Sequence, residues 1–196
     1  YLGILSNEKN GGFGLNFFDF SLTLENWGSK LCDGPYIENS IIVFILERMK
    51  NKKFDALIKN ISDSKIIMTS IVSEQFINNE KIPVVHKKNQ KFILEGKIIN
   101  LPYLDEATEI LTLVSVNNKK KLLILKKQNV DVIKENKTIT GQKLYEINID
   151  NLEISQEDIL ENNGLNLIDM YVQLFTIAKC SESVGIAESI LNMTNE

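Results

Sequence analysis

The hydrophobic positions change their spacing twice along this chain of 196 residues. Residues 1–64 and 155–196 have apolar positions three or four apart, which is the spacing of an amphipathic helix. Residues 65–154 instead have short apolar and β-branched runs between Gly, Pro and Asn breaks, which predict strands. A block of strands between two helical blocks favours an α+β fold with segregated layers, because βαβ units would mix helices among the strands.

Three helices are predicted before residue 64. The glycine-rich loop Asn7–Gly14 breaks regular structure, and the helix after it is predicted to end near Gly28. Ser40–Lys50 is apolar on all sides, which fits a buried helix or a buried strand, and we favour a helix because good helix formers continue it. Phe54–Ile61 predicts a short third helix with one apolar face. The first helix is predicted to carry Leu15, Phe18, Leu22, Glu25 and Leu31 on one side, with Phe17, Phe20 and Leu24 beside them.

The strand block begins with the β-branched run Lys65–Glu74. The lysines Lys119–Lys121 follow two asparagines, and we interpret them as a hairpin turn with solvated charges. A nucleic-acid patch is a weaker interpretation, because no aromatic residues are interleaved with these lysines. The other predicted strands are Phe92–Pro102, Ala107–Val116, Leu122–Leu125, Val130–Ile133 and Lys143–Ile149.

One long helix is predicted at the end of the chain. Ser155–Asp158 resembles a helix start with a hydroxyl cap and acidic residues, and Asn162–Gly164 is a break before the long helix begins at Leu165. The chain starts at Tyr1 rather than Met and stops inside this helical pattern, so we expect a piece of a longer protein. One stripe of the helix is predicted to contain Leu167, Met170, Leu174, Ile177, Val184, Ala187 and Leu191.

Composition narrows the class of protein only slightly. The formal net charge of −4 gives no general attraction to nucleic acid or to anionic membranes. No apolar run approaches the roughly 18 residues of a membrane span, and we find no signal-peptide pattern, so a cytoplasmic protein is expected. Cys32 and Cys180 are far apart in the sequence; a disulfide is possible, but two buried, reduced thiols are favoured.

Residues outside any family context give few candidates for chemistry. His86 is the only histidine and has no Cys, Asp or second His at ligand spacing, so no metal site is predicted. The acidic pairs Asp105–Glu106 and Glu157–Asp158 are better explained as a solvated turn and a helix N-terminus than as catalytic dyads. The glycine loop lacks the preceding strand that a phosphate-binding loop needs.

Six short motifs follow one another along essentially the whole chain. They are Glu8–Gly14 with Glu25 in the helix after it, Gly34–Ser40, Val72–Gln75, Leu94–Gly96, Asn148–Ile154 and Ser183–Ser189. In this order they resemble the Glu-x-x-Gly-Gly-x-Gly turn, the Gly-Pro segment, the Thr/Ser-Glu-Pro turn, the Leu-Asn-Gly hairpin, the end of the β domain and the small-residue helix centre of the acyl-CoA dehydrogenases. No single motif establishes this resemblance; the order and spacing of the six motifs carry it.

The resemblance implies a fold, a reaction and partners. The β domain would be antiparallel and barrel- or sandwich-like, and the long helix would be the first of an otherwise missing C-terminal bundle. The family is a group of FAD-dependent oxidoreductases of lipid metabolism, including fatty-acid β-oxidation. A carboxylate base removes the α proton of an acyl-CoA thioester, and a hydride passes from the β carbon to FAD. Electron-transfer flavoprotein or a similar acceptor, and a homo- or hetero-oligomer such as a dimer or tetramer, are the implied partners.

The resemblance also assigns roles to individual residues. Val72 and Ser73 would lie against the flavin, with the Ser73 hydroxyl as a hydrogen-bond donor. Asn100, Leu101 and Pro102 would stand beside the ring on the face away from the substrate. The acyl pocket would be lined by Ser40, Phe44, Met170, Leu174 and Phe175.

The chain departs from the family pattern at several of these positions. Gln75 replaces the usual proline, and Phe76–Asn79 stands where a Gly-Ser-Asp commonly follows. Asn100 replaces an aromatic residue and Pro102 replaces a threonine. Some members place the catalytic base where this chain has Phe175, so the base is expected beyond Glu196 and no catalytic residue is assigned.

Three functional hypotheses remain open at this point. The first is a working FAD-dependent acyl-CoA dehydrogenase, in which Met170 and Phe175 could shorten the acyl pocket. The second is a non-catalytic or flavin-free paralogue that serves as partner subunit in a heteromer. The third is a β-rich interaction module with helical flanks. The family's oligomers assemble through the C-terminal bundle, so a large uncovered apolar surface on the last helix is expected.

Overall fold

The structure, a computed structural model, describes residues 2–78, 81–161 and 164–195. It divides the chain into two compact units, here called the helical unit and the β unit. The helical unit comprises the residues up to Lys65 and those from Met170 onward, and the β unit is Ile66–Asp169. The predicted α+β class is therefore confirmed. The predicted change at residues 154–155 does not coincide with a unit boundary, because strand pairing continues beyond it.

Five α-helices lie in the described parts of the chain. The first begins at Phe17 because Asn16 caps it: the Asn16 Oδ1 accepts hydrogen bonds from the backbone N–H groups of Phe18 and Asp19. The Asp19 carboxylate in turn accepts from the Asn16 N–H, which completes a capping box. The helices are α1 (Phe17–Ser29), α2 (Tyr36–Arg48), α3 (Asp55–Ser62), α4 (Val72–Ile77) and α5 (Leu167–Asn195).

The apolar face predicted for α1 is the wrong one. The predicted stripe is largely solvent-exposed, with Phe18 at 70% and Leu22 at 51% exposure, whereas Phe20, Leu24 and Gly28 are buried. The segment carries two apolar sets side by side, and periodicity cannot choose between them. The choice follows from helix packing, since the face with Gly28 is the one that allows a close approach to α5.

Helices α1 and α5 cross with their backbones in contact. A Cβ atom on Gly185 would lie 1.8 Å from the carbonyl oxygen of Glu25, and one on Gly28 would lie 2.1 Å from the carbonyl oxygen of Glu182. No side chain fits at either distance, so both glycines are required for this crossing. The small-residue centre of α5 identified in the sequence therefore has a packing role.

Eight strands form one sheet in the order β6-β7-β3-β2-β4-β5-β8, with β1 pairing to β4 off this path. Most ladders are antiparallel, as predicted, but β1 and β2 both pair with β4 in parallel. One apolar core, built from β2, β3, β4, β5, β7 and β8, lies inside the unit. The strands are β1 (Met68–Ser70), β2 (Val84–Lys88), β3 (Lys91–Pro102), β4 (Glu109–Val116), β5 (Lys119–Lys126), β6 (Asp131–Lys137), β7 (Lys143–Ile154) and β8 (Ile159–Leu160).

Two predicted features of the strand block are wrong. The run Lys65–Glu74 is extended only at β1, because the chain turns into α4 at Val72. Lys119–Lys121 are not the hairpin turn. The turn is made by Asn117 and Asn118, whose φ angles of 49° and 61° are the left-handed values that asparagine tolerates, and the lysines begin β5.

The end of the chain also differs from prediction in part. Ser155 is a cap as expected, but it starts only a short 3₁₀ turn, Gln156–Asp158. The predicted break is described only at Gly164, since Asn162 and Asn163 lie outside the described residues. The predicted stripe of α5 is split: Leu167 is buried, whereas Ile177, Val184, Ala187 and Leu191 are exposed.

Two further surface predictions can be compared with the structure. The expected uncovered apolar surface on α5 is confirmed by the exposed Ile177, Val184 and Leu191. Cys32 and Cys180 are free thiols, but both are exposed rather than buried, because each lies on an outer face of the helical unit. None of the helices in the described ranges combines the length and apolarity needed to cross a membrane.

Candidate functional site

The segment from β1 into α4 carries the first pair of predicted cofactor residues. Val72 and Ser73 occupy the first turn of α4 and are both buried. The turn is held by two bonds: the Ile71 N–H donates to the Leu111 carbonyl at 3.4 Å, and the Val72 N–H donates to Ser70 Oγ at 3.3 Å. Both side chains are therefore fixed by the end of a strand, as a rigid cofactor wall requires.

The hydroxyl of Ser73 is the most informative atom of this turn. The residue is 4% exposed, and its Oγ has no hydrogen-bond partner among the described residues. A buried hydroxyl without a partner is unfavourable, and native structures contain few of them unless the group has a functional role. The Ser73 Oγ therefore has unused hydrogen-bonding capacity, and its role as a donor to a flavin ring remains a prediction.

Gln75, which replaces the family's usual proline, has a structural role in the same helix. β4 pairs with β1 at residues 109–111 and with β2 at residues 115–116, so a gap lies between the two ladders. The buried Gln75 Oε1 fills this gap, accepting from the Leu113 N–H at 2.8 Å and from Thr112 Oγ1 at 3.1 Å. The departure at Gln75 thus satisfies a backbone donor of the sheet.

The second predicted cofactor segment is the end of β3. The β3–β7 ladder shifts register between Ile98 and Leu101, and Asn100 in this irregularity is exposed with a φ angle of 57°. The side chain of Leu101 is fully buried in the apolar core, and Pro102 is half-buried. The roles assigned to Asn100, Leu101 and Pro102 remain predictions.

One hydrogen bond joins the two cofactor segments. The Thr69 Oγ1 in β1 donates to the Pro102 carbonyl at the end of β3, at 2.6 Å. Val72 and Ser73 follow β1 closely, so the fold brings both predicted segments to neighbouring strand ends. Sequence patterns did not indicate Thr69, because a threonine in a β-branched strand has no distinguishing feature.

A salt-bridge cluster holds the loop that follows β3. The Lys143 Nζ lies 2.8 Å from Asp105 Oδ2 and 3.5 Å from Glu135 Oε2, and Lys127 Nζ donates to the Asp105 carbonyl at 3.0 Å. Hydrogen bonding to Lys143 holds the pKa of Asp105 below its usual value, and burial raises the pKa of the nearby Tyr145 to about 12. These contacts support the interpretation of Asp105–Glu106 as a structural turn.

The predicted substrate-pocket residues belong to the helical unit. On α2, Ser40 is fully buried and its Oγ donates to the Leu2 carbonyl at 3.4 Å, so the hydroxyl is used within the unit. Phe44 is half-buried, with the Phe17 ring centroid at 5.9 Å and the Arg48 guanidinium 3.4 Å above its ring. The structure thus gives both residues internal partners, and their pocket roles remain predictions.

The other predicted pocket residues lie in the first turns of α5. Met170, Leu174 and Phe175 are all half-buried. The Phe175 ring is stacked on the buried Tyr171, with centroids 5.9 Å apart and planes 15° apart. A phenyl ring in this stack accepts no proton, so the helical unit supplies apolar contacts and no base at this position.

Two remaining candidates have ordinary surroundings. His86 is exposed, and its Nε2 lies 4.0 Å from Glu95 Oε2. Within residues 2–78, 81–161 and 164–195, no group of three or more His, Cys, Asp or Glu side chains is arranged to hold a metal ion. Of the segment Phe76–Asn79, Asn79 lies outside the described residues, and Phe76 and Ile77 are exposed apolar side chains.

Comparison with known proteins gives matches to solved structures alone. No family model matches the chain, and no curated protein matches it. A variant of the steroid ACAD Tcur3481-Tcur3483 aligns with a TM-score of 0.83 and 15% identity, covering 98% of this chain and 53% of that one. The ChsE4-ChsE5 complex from Mycobacterium tuberculosis aligns with a TM-score of 0.81 and 16% identity, covering 99% and 53%. Butyryl-CoA dehydrogenase from Megasphaera elsdenii aligns with a TM-score of 0.81 and 14% identity, covering 97% and 56%.

Proposed function

We propose that this chain, which has the fold of the acyl-CoA dehydrogenases over about half their length, is part of an FAD-dependent enzyme that desaturates the α–β bond of an acyl-CoA thioester. Identities of 14–16% establish the fold alone, so activity rests on the site residues. The observation that carries the proposal is the buried Ser73 hydroxyl without a partner, in the turn assigned to the flavin. A soluble, cytoplasmic protein is part of the same proposal.

The residues of the β unit fit a flavin wall in part. Ser73 Oγ would donate to the ring, Val72 would supply an apolar contact, and Asn100 would present an amide where the family usually has an aromatic residue. FAD, when bound, supplies the hydride acceptor. Pro102 has no N–H, so its peptide would offer only a carbonyl, and that oxygen already accepts from Thr69.

The residues of the helical unit would act on the substrate by shape and not by proton transfer. Phe175 stands where some family members have their base, so a carboxylate outside this chain would remove the α proton. The stacked Tyr171–Phe175 pair is bulky and held in place. We propose that Phe175 and Met170 limit the acyl chain to short or unusual groups, and turnover of long-chain acyl-CoA would contradict this.

Partners follow from the same proposal. Ile177, Val184 and Leu191 on α5 are exposed and apolar, which supports burial against further helices in a homo- or hetero-oligomer. Electron-transfer flavoprotein or a related carrier would reoxidise the flavin. The neighbours include a named two-protein complex, ChsE4-ChsE5, which is consistent with either kind of oligomer.

The alternative is a flavin-free or non-catalytic paralogue that acts as partner subunit. Two observations favour it: Asn100 is exposed without an aromatic surface, and Gln75 is committed to the β4 edge. In that case the uncovered face of α5 would be the interface with the catalytic subunit. The third hypothesis, a plain interaction module, has lost its basis because the dehydrogenase-like fold is now established.

The test is a visible absorption spectrum of the purified protein, with any sequence that flanks this chain, before and after acyl-CoA is added. A bound-flavin spectrum that bleaches with acyl-CoA supports the enzyme, and the substrates that bleach it define the acyl chain length. Flavin that does not bleach supports cofactor binding without this reaction. A colourless protein that cannot be reconstituted with FAD supports the partner-subunit alternative.

A matched pair of variants connects the spectrum to Ser73. Ser73→Ala removes the unpartnered hydroxyl, and we expect FAD affinity to fall about tenfold, since one hydrogen bond to a polar ring atom is worth about 1.5 kcal/mol. The control is Ser183→Ala, because the exposed Ser183 donates only to the Lys179 carbonyl one turn earlier. Equal FAD affinity in both variants would contradict the assigned role.

A further inference from the structure

A cavity of about 470 Å³ lies where α1 is connected to α2. All of its described lining residues belong to the helical unit. The lining is mainly apolar, and its volume is within the roughly 300–1,000 Å³ of small-molecule sites. We call this feature the aromatic cavity, and none of the predicted site residues discussed above lines it. Its lining includes Leu2, Trp27, Cys32, Asp33, Pro35 and Tyr36.

The loop between α1 and α2 is folded back by its own hydrogen bonds. The Trp27 carbonyl accepts from the N–H groups of Lys30 and Cys32, at 3.1 Å each. Leu31 between them has a left-handed φ angle of 52°, which reverses the chain direction. Tyr36, the first residue of α2, therefore lies beside Trp27 near the end of α1.

Trp27 and Tyr36 form a corner of two aromatic rings. Their centroids are 4.7 Å apart and their planes 79° apart, which is an edge-to-face contact. Such a contact uses one face of one ring and leaves the other ring faces of the pair to other partners. The Tyr36 ring is anchored by its hydroxyl, whose oxygen lies 2.6 Å from both the Cys32 carbonyl oxygen and Glu182 Oε1. Aromatic ring faces attract cations, because their π electrons carry negative charge.

The charge of the lining also suits a cation. The exposed Asp33 is the one carboxylate among the described residues that line the cavity, and no lysine or arginine is among them. The Glu182 carboxylate that contacts Tyr36 is a different case, because Lys179 Nζ lies 2.9 Å from its Oε2. The cavity thus combines two rings, apolar surface and one negative charge, and that charge would repel an anion.

The alternative is an ordinary surface recess in which Trp27 and Tyr36 only pack against each other. Simple packing requires neither an anchored phenol nor a carboxylate beside the rings. The aromatic cavity has both, and the described part of its lining carries no positive charge to oppose Asp33. A cationic ligand uses all of these features, whereas a neutral apolar ligand leaves the carboxylate without a role.

We propose that the aromatic cavity binds a small organic cation of the methylated ammonium type. The positive charge would be attracted to the ring faces and to Asp33, while the methyl groups would be buried against Leu2 and Pro35. A quaternary ammonium group has no N–H donor, so its transfer from water leaves no hydrogen bond unsatisfied.

Two sources of such a group are distinguishable. One is a free cation, which would bind whether or not the protein is a dehydrogenase. The other is the charged end of an acyl group in acyl-CoA. This second assignment rests on the proposed function, because Tyr36 begins the helix that carries the predicted pocket residues Ser40 and Phe44.

The experiment is a fluorescence titration of the purified protein, because Trp27 is the single tryptophan of this chain and lines the cavity. The probe is choline, and the matched neutral probe is its carbon isostere, in which a tert-butyl group replaces the trimethylammonium group. Sodium chloride keeps the ionic strength constant. The same titration of Trp27→Phe gives the signal of any tryptophan in flanking sequence. We expect choline to bind about fivefold more tightly than the neutral isostere.

Two variants keep Trp27 as the reporter. Tyr36→Leu removes the second ring and Asp33→Asn removes the carboxylate, and each should weaken choline binding about fivefold. The matched controls are Phe18→Leu, which removes an exposed ring of the same helix α1, and Asp55→Asn, which removes an exposed carboxylate of α3. Neither control residue lines the cavity.

Saturable choline binding that is tighter than that of the isostere, and is weakened only by the two cavity variants, would support the proposal. Equal binding of the two probes would overturn it, since that result describes a site for neutral apolar molecules. No saturable binding of choline, or an equal loss in Asp33→Asn and Asp55→Asn, would also overturn it.

The source of the cation is identified only if acyl-CoA bleaches the flavin. A KM for acyl-CoA that choline raises without changing kcat assigns the cavity to the acyl group, and an unchanged KM assigns it to a free cation. Choline binding is measured without flavin, so it stands or fails independently of the proposed reaction.

Discussion

In the helical unit, α1 and α5 touch backbone to backbone at Gly28 and Gly185, whereas in the β unit the Gln75 side chain of α4 accepts hydrogen bonds from β4. The first contact requires that neither glycine carries a side chain, and the second requires the amide oxygen of Gln75 beside β4. The helical contact therefore tolerates no added volume. The β-unit contact tolerates no loss of an acceptor.

The two units also differ in how they treat buried polar groups. In the helical unit the Glu47 Oε1 accepts from Ser6 Oγ at 3.1 Å, the Asn7 N–H at 2.9 Å and Asn10 Nδ2 at 2.9 Å, so a single carboxylate satisfies the N-terminal loop. In the β unit the Ser73 hydroxyl has no such partner among the described residues. The Glu47 carboxylate is thus used within its own unit, whereas the Ser73 hydroxyl has unused hydrogen-bonding capacity.

The largest effect is expected for Gly185→Ala. Helix propensity alone would stabilise α5 by roughly 1 kcal/mol. The new Cβ would instead lie 1.8 Å from the Glu25 carbonyl, and overpacking of this kind costs about 3 kcal/mol. We expect a net loss of about 2 kcal/mol in the free energy of unfolding, measured by urea denaturation. Ser183→Ala, two residues away and exposed, is the control and should not lose stability. A stabilised Gly185→Ala protein would mean that α1 and α5 are not in backbone contact.

The next effect, in the β unit, is expected for Gln75→Ala. It leaves the buried Leu113 N–H and the Thr112 hydroxyl without their acceptor, at a cost of about 2 kcal/mol. Urea denaturation measures the loss, and hydrogen exchange should show faster exchange of the Leu113 N–H. The matched control is Gln173→Ala on the exposed face of α5. Similar stability of the two variants would show that Gln75 does not close the β4 edge.

A smaller effect of opposite sign is expected for Ser73→Ala in the protein without flavin. Removing a buried hydroxyl that has no partner removes an unfavourable group, so stability should be unchanged or higher by about 1 kcal/mol. Thermal unfolding without and with FAD measures both states. Only the FAD-bound protein should be destabilised by the change relative to its parent. A clear loss of stability without FAD would mean that Ser73 has an internal structural partner.

The smallest effect concerns Glu109 in β4. Burial raises the pKa of its carboxyl, the charge of Lys126 opposes this, and the charge of Asp158 adds to it. The native state therefore holds this proton more tightly than the unfolded state, so this group's contribution to stability falls as pH rises through its folded pKa. Glu109→Gln should flatten this part of the profile, which lies above the ordinary pKa of a glutamate carboxyl. The exposed Glu106→Gln is the control, and identical profiles for the two variants would contradict the assignment.

Asp105 titrates in the opposite sense within the same unit. Its hydrogen bond to Lys143 lowers its pKa, so its contribution is present above its ordinary pKa and is lost as pH falls through the lowered value. The pH-dependent contributions of Glu109 and Asp105 to stability therefore have opposite signs and partly cancel in the parent protein. The Glu109→Gln profile should consequently show a clearer loss of stability toward acid than the parent profile does.

Local sequence determined the existence and type of most elements. Two capping boxes can be recognised from sequence alone, because each joins residues three apart. They are formed by Asn16 with Asp19 and by Ser155 with Asp158. The β-branched runs Lys91–Pro102 and Glu109–Val116 are strands close to their predicted bounds. The order of six weak motifs was enough to predict the dehydrogenase fold, which structural comparison confirms.

The tertiary structure alone decided which of several acceptable faces is used. Phe18 and Phe20 are equally apolar, but only Phe20 lies on the side of α1 where Gly28 allows α5 to approach. Gln75 replaces a proline of the family pattern, but its role as the acceptor for the Leu113 N–H depends on a strand nearly forty residues away. Each of these decisions depends on contacts between distant residues, which local spacing does not encode.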